Sequence, residues 1–99
     1  MTPNEYQNQI AEISQEHPIY DTPNGLHTYC YGLLEECGEV AGLFKRLYRG
    51  DNDSGLRKKL KDELGDVLGY LVLVAHVFDL SLEDIMQHNL EKVERRYKK

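Results

Sequence analysis

Basic residues are the minority in this chain: 12 Lys and Arg stand against 17 Asp and Glu, for a net charge of −5. The cations are not gathered into an aromatic-interleaved patch either, and the two facts together argue against a nucleic-acid-binding surface. Cysteine is scarce. Cys30 and Cys37 have neither metal-ligand nor C-x-x-C spacing, so they read as reduced, small apolar side chains of a cytosolic protein, with Cys37 expected in the core. No apolar run reaches the ~18 residues of a membrane span, and the amino terminus has no basic-then-apolar signal. A chain that stays in the cytoplasm, off the membrane, is the expectation. No strand pattern of useful length appears. None of His17, His27, His76 or His88 has a glutamate three residues before it, which argues against a carboxylate di-iron bundle.

What is present is helical periodicity. Thr2-Pro3 is a cap followed by proline at the first helical position, and Tyr6, Ile10 and Ile13 recur at helical spacing until Pro18. Residues 17–25 carry two prolines and Asn-Gly, which is turn chemistry. Helical period resumes over residues 26–48, breaks over 49–55, where Asp53 or Ser54 can cap the next helix, and resumes over 56–78. Ser81 caps a last helix whose expected buried stripe is Leu82, Met86, Leu90, Val93 and Tyr97. The class is all-α: four helices, with the middle two forming a hairpin. The 99 residues make one domain, near the small end of what buries an adequate core alone. Residues 67–75 are apolar around the whole helix and need cover on every side, which makes a homodimer or homotetramer the expectation.

Two stretches stand out within the hairpin. Glu35-Glu36-Cys37-Gly38-Glu39-Val40-Ala41-Gly42 and Asp62-Glu63-Leu64-Gly65-Asp66-Val67-Leu68-Gly69 both read acid, Glu, x, Gly, acid, Val, x, Gly. On a helix Glu36 and Glu39 share a face one turn apart, and so do Glu63 and Asp66. With Leu33, Cys37, Val40 and Phe44 as the apolar stripe of the first hairpin helix, Glu36 falls on its flank; Glu63 falls on the matching flank of the second, between Tyr70 and Val74. Antiparallel packing then brings four acids to one seam. At an effective dielectric of about 20, two carboxylates ~5 Å apart repel by roughly 3 kcal/mol, so cations or protons must neutralise the group. A hard divalent ion, Mg²⁺ or Mn²⁺, suits oxygen ligands. On the last helix Asn89, Lys92 and Arg96 border the apolar stripe along a line that can face the acids. Three interior glycines, Gly32, Gly38 and Gly42, each cost ~1 kcal/mol relative to alanine and point to close helix approach or to space for a ligand.

Leu34-Glu35-Glu36-Cys37-Gly38-Glu39-Val40, then Asp62-Glu63-Leu64-Gly65-Asp66-Val67-Leu68, then Asn89-Leu90-Glu91-Lys92-Val93-Glu94-Arg95 resembles the MazG-like all-α nucleoside triphosphate pyrophosphohydrolases. Their hallmark is E-x-x-E, a spacer, then E-x-x-D. The resemblance implies Glu36, Glu39, Glu63 and Asp66 as Mg²⁺ ligands, with Glu35 as an assisting acid. It implies hydrolysis of a (deoxy)nucleoside triphosphate to the monophosphate and pyrophosphate. Asn89, Lys92 and Arg96 would then contact the nucleotide, joined by Lys45 and Tyr70. Many relatives carry an aromatic residue where Gly69 stands, which implies a wider pocket or a different base. Phosphoribosyl-ATP or dUTP pyrophosphohydrolysis within the same superfamily, and a non-catalytic helical oligomerisation module, are the alternatives.

Overall fold

A computed structural model of the chain describes residues 1–16, 22–51 and 54–98. Four helices follow one another: α1 (Pro3–Gln15), α2 (Pro23–Arg49), α3 (Leu56–Val77) and α4 (Leu82–Tyr97). No strand occurs among the described residues. The Thr2 hydroxyl accepts from the Glu5 N–H at 3.1 Å, and the Ser81 hydroxyl from the Asp84 N–H at 3.1 Å, so both expected caps form. Pro23 stands in the first turn of α2, where its fixed φ and missing N–H cost nothing, and the helix therefore begins inside the stretch expected to be turn. Pro18 and Asp53 lie outside the described residues. The residue before α3 is Gly55, at φ 92°, and no side chain caps that end. Ser54 is not its cap.

α2 ends in a left-handed Gly50, at φ 98°, with the Gly50 N–H donating to Leu47 O and the Asp51 N–H to Arg46 O. α3 ends the same way with a non-glycine: Asp79 sits at φ 56°, and the Asp79 and Leu80 N–H groups donate to His76 O and Ala75 O. This paired bonding consumes the last carbonyls of the helix and turns the chain sharply. The axes of α3 and α4 consequently meet at 103°.

α2 and α3 form the principal packed pair, α1 lies on α3, and α4 packs on α1. The inner face of α2 carries buried Tyr29, Gly32 and Leu43 and half-buried Leu33, Glu36 and Val40. That face is turned by roughly 60° from the expected stripe, at 100° per residue. Two expectations fail for this reason: Cys37 is exposed and so, at 38 %, is Phe44. Glycine drives the shift. A Cβ on Gly32 would stand 2.4 Å from the Tyr70 ring, so the smallest side chain on α2 receives one of the largest on α3. Gly38 and Gly42 make no such approach to another helix.

α1 is held by side chains that recognise the start of α4. Gln7, 4 % exposed, donates from Nε2 to Leu80 O at 2.9 Å and Val72 O at 3.3 Å, while its Oε1 accepts from the Leu82 N–H at 2.8 Å. One turn earlier Asn4 exchanges two bonds with Glu83, accepting from its N–H and donating to its carboxylate. A helix start leaves N–H groups without intrahelical partners, and these two amides satisfy them.

Beyond its first turn α4 leaves the other helices. Leu82 is buried, but Met86, Leu90, Val93 and Tyr97 are 39–74 % exposed, contrary to the expected buried stripe. The radius of gyration, 16.0 Å, exceeds the about 13 Å of a compact domain this size. The apolar run of α3 is likewise incompletely covered: Val72, Leu73 and Ala75 are buried, whereas Leu68 is 39 % exposed, as is Leu64 one turn before it at 51 %. No single helix among the described residues is long and apolar enough to cross a membrane.

Candidate active site

The packing of α2 on α3 brings carboxylates together from two helices. Glu36, Glu63 and Asp66 each offer an oxygen, and these oxygens lie within 4.8 Å of one another. Glu36 reaches the group because the inner face of α2 is centred on it rather than flanking it. Glu63 and Asp66 arrive from successive turns of α3. Glu39 is exposed and is not one of this group, although it stands one turn beyond Glu36.

The electrostatics register the crowding. Burial pushes the Glu36 carboxyl above its ordinary value of 4.5, and the Asp66 charge, a hydrogen bond with Glu63, and the Glu63 and Glu35 charges all act in the same direction. Holding a proton is one way for such a group to relieve repulsion; binding a cation is the other. Oxygen-only donors are the set that a hard divalent ion takes. The residues present therefore fit Mg²⁺ or Mn²⁺.

A raised carboxyl pKa fixes the sign of a pH effect. The folded chain holds the Glu36 proton more tightly than the unfolded chain, so the stabilisation is fully present below about pH 4.5 and is lost as pH rises through the folded-state value. Metal-free protein should accordingly gain stability from Glu36 as pH falls from neutral toward 5. Thermal melts in chelator across that window should show the gain in wild type and not in Glu36→Gln. Identical profiles would mean that Glu36 is not crowded.

Beside the acids lies a cavity of about 500 Å³ between α1, α2 and α3. Tyr6 and Ile10 of α1, Tyr29 of α2 and Tyr70 of α3 wall it, and Gly65, Asp66 and Gly69 of α3 form its floor. Burial, then the charge of Asp66, raises the Tyr6 phenol above its ordinary range, which keeps that hydroxyl protonated. On the other side of Tyr70 a second hollow is lined by Asn24, His27, Tyr31 and Glu35. Glu35 is thus near the acids without joining them.

The chain matches the model of the MazG nucleotide pyrophosphohydrolase domain over residues 24–99. It belongs to the MazG family. The Gene 37 protein of Mycobacterium phage L5 is 35 % identical over 80 residues, covering 77 % of this chain and 69 % of that protein. YvdC, an uncharacterised protein of Bacillus subtilis strain 168, is 30 % identical over 73 residues, covering 66 % of this chain and 69 % of its own length. No solved structure matches significantly. The MazG match begins after α1, so Tyr6 and Ile10 come to the cavity from outside it.

The remaining candidates are dispersed. Tyr70 is at the cavity wall. Lys45 is exposed on α2, outside the group of acids. Asn89, Lys92 and Arg96 are exposed on α4, whose principal packing partner is α1. None of the three lines the cavity beside the acids. Sequence reading missed Tyr6 and Tyr29 as site residues. Tyr6 had been placed on an apolar stripe of a short helix, and nothing local to it signals Asp66, sixty positions away.

Proposed function

We propose that this MazG-family protein hydrolyses a nucleoside or deoxynucleoside triphosphate to the monophosphate and pyrophosphate in a Mg²⁺-dependent reaction, with Mn²⁺ a competent substitute. The observation that carries the reading is the convergence of Glu36, Glu63 and Asp66 from two helices to within 4.8 Å, beside a cavity of about 500 Å³. Membership of the family supports the reaction class.

Glu36, Glu63 and Asp66 would hold the cation, and Glu39, one turn on, would be the fourth acid ligand. Bound Mg²⁺ supplies charge neutralisation of the triphosphate and activation of water toward the α-phosphorus. Glu35 orients that water through its neighbour Glu36. The cavity takes the nucleoside, with Tyr70 against the base. Lys45 would meet the outgoing phosphates.

Asn89, Lys92 and Arg96 serve the site from a second subunit. The exposed apolar row of Met86, Leu90 and Val93 beside them supports this, because a 99-residue chain leaves such a row bare only at a cost of roughly 1.5–3 kcal/mol per side chain. A homodimer or homotetramer in the cytoplasm, acting as one domain per chain without nucleic acid or membrane, completes the proposal.

The test is a panel of nucleoside triphosphates assayed for phosphate by malachite green, with and without added pyrophosphatase. Signal that requires both Mg²⁺ and pyrophosphatase is expected. Orthophosphate released without pyrophosphatase, or no product from any triphosphate, contradicts the reading.

A further inference from the structure

The floor of the cavity is built from positions where a side chain would fit and none is present. A Cβ at Gly65 would meet nothing within 4 Å, and one at Gly69 would meet only the Tyr6 hydroxyl, at 3.7 Å. Gly65 and Gly69 are therefore unlike Gly32, whose hydrogen is all that the Tyr70 ring leaves room for. Each interior glycine weakens the helix relative to alanine, and close packing offers no reason for it here. The width of the cavity, about 500 Å³ and well inside the range that takes a whole small ligand, comes from side chains that α3 omits. Facing that floor from α1 is Tyr6, carried on the helix that Asn4 and Gln7 lock to the start of α4.

We infer that this cavity selects a two-ring base: a purine lies along the α3 backbone between Gly65 and Gly69 and is closed in by Tyr6. The inference rests on the proposed triphosphate reaction for its substrate and adds the size class of the base and the residues that set it. Omitted side chains on the floor make the room for the second ring. The hydroxyls at the wall donate and accept alike, and Thr28, also on the wall, already gives its proton to Asn24 O at 2.8 Å. Apart from Asp66, whose carboxylate only accepts and is assigned to the cation, no side chain there is committed to one edge pattern, so adenine and guanine are discriminated by less than about tenfold. Size, not hydrogen-bond pattern, is the selector.

The decisive variant is Gly69→Leu, which fills the floor without deleting any packing and with a better helix former. Two readouts are taken on wild type, Gly69→Leu and Tyr6→Ala, with melting midpoints recorded alongside. The first is kcat/KM for ATP, GTP, CTP and UTP at saturating Mg²⁺. The second is binding of AMP and CMP in chelator, by saturation-transfer NMR, which needs neither metal nor catalysis. Wild type is expected to favour purines at least tenfold. Gly69→Leu should cut purine kcat/KM and AMP binding at least tenfold and the pyrimidine values less than threefold, with a melting midpoint no lower than wild type. Tyr6→Ala should weaken AMP binding in the same direction. If wild type hydrolyses triphosphates but the purine-to-pyrimidine ratio of Gly69→Leu stays within threefold of the wild-type ratio, the inference is wrong and the reaction stands. If no triphosphate is hydrolysed while AMP binds wild type and not Gly69→Leu, the reaction is wrong and the purine cavity stands. AMP binding that is absent, or equal in both, overturns the cavity assignment.

Discussion

Glu63→Gln is expected to lower pyrophosphate release by on the order of a thousand-fold or more while leaving the metal-free protein at least as stable as wild type. The two halves of this result have one cause. Oxygens of Glu36, Glu63 and Asp66 lie within 4.8 Å of one another, where a pair of carboxylates repels by about 1 kcal/mol if fully solvated and about 3 kcal/mol at an effective dielectric of 20. Glutamine keeps the size of the side chain and removes its part of that repulsion, including the charge that helps to raise Glu36. For catalysis the same change deletes an anionic ligand. Transition-state stabilisation by a correctly held cation is worth several kcal/mol, and about 4 kcal/mol corresponds to a thousand-fold in rate. Melting curves in chelator and initial rates in Mg²⁺ check the two halves separately. A variant that melts well below wild type would assign Glu63 to holding the fold, and a variant that retains a tenth of the rate would remove it from the site.

Gln7→Leu should give the largest loss of stability among substitutions away from the acids, roughly 3 kcal/mol. Leucine fills the space but neither donates to the part-buried Leu80 O nor accepts from the buried Leu82 N–H. Each buried backbone group left without a partner costs about 1–3 kcal/mol. For a chain of this size that is a fall in melting temperature of about 12–24 °C, at 4–8 °C per kcal/mol. A fall below 3 °C would show that water replaces the amide and that α1 is not locked to the α3–α4 corner. Because Tyr6 is adjacent in sequence and reaches the cavity from the same helix, the loss should extend to nucleotide binding under conditions where the protein remains folded.

Much of this was legible in the sequence, for reasons that name its limits. The four helices are local events: Thr2, Ser81 and the period of apolar residues mark them, and only the α2 start was displaced, because Pro23 reads equally as turn or as first-turn proline. The acid group was legible because its four members occur as two copies of one short pattern, and three of the four converge. The rotation of α2 was not legible. A hydrophobic stripe counts Cys37 and Phe44 and gives no weight to glycine, whereas the contact that sets the face is Tyr70 on Gly32. The course of α4 was hidden for a different reason. Its apolar stripe announces burial without saying against what, and the left-handed Asp79 turns the helix away from the hairpin. Tyr6 joined the site through a tertiary contact between α1 and α3 that no periodicity encodes.

Whether the crowded carboxylates exist to hold a divalent ion is answered most directly by counting Mn²⁺ by electron paramagnetic resonance. Wild type is compared with the triple variant Glu36→Gln, Glu63→Gln, Asp66→Asn, without nucleotide at neutral pH. Saturable uptake of at least one ion per chain by wild type, abolished in a triple variant that still folds, is the expected outcome. Equal uptake by the two proteins, or none by wild type at millimolar Mn²⁺, would contradict it.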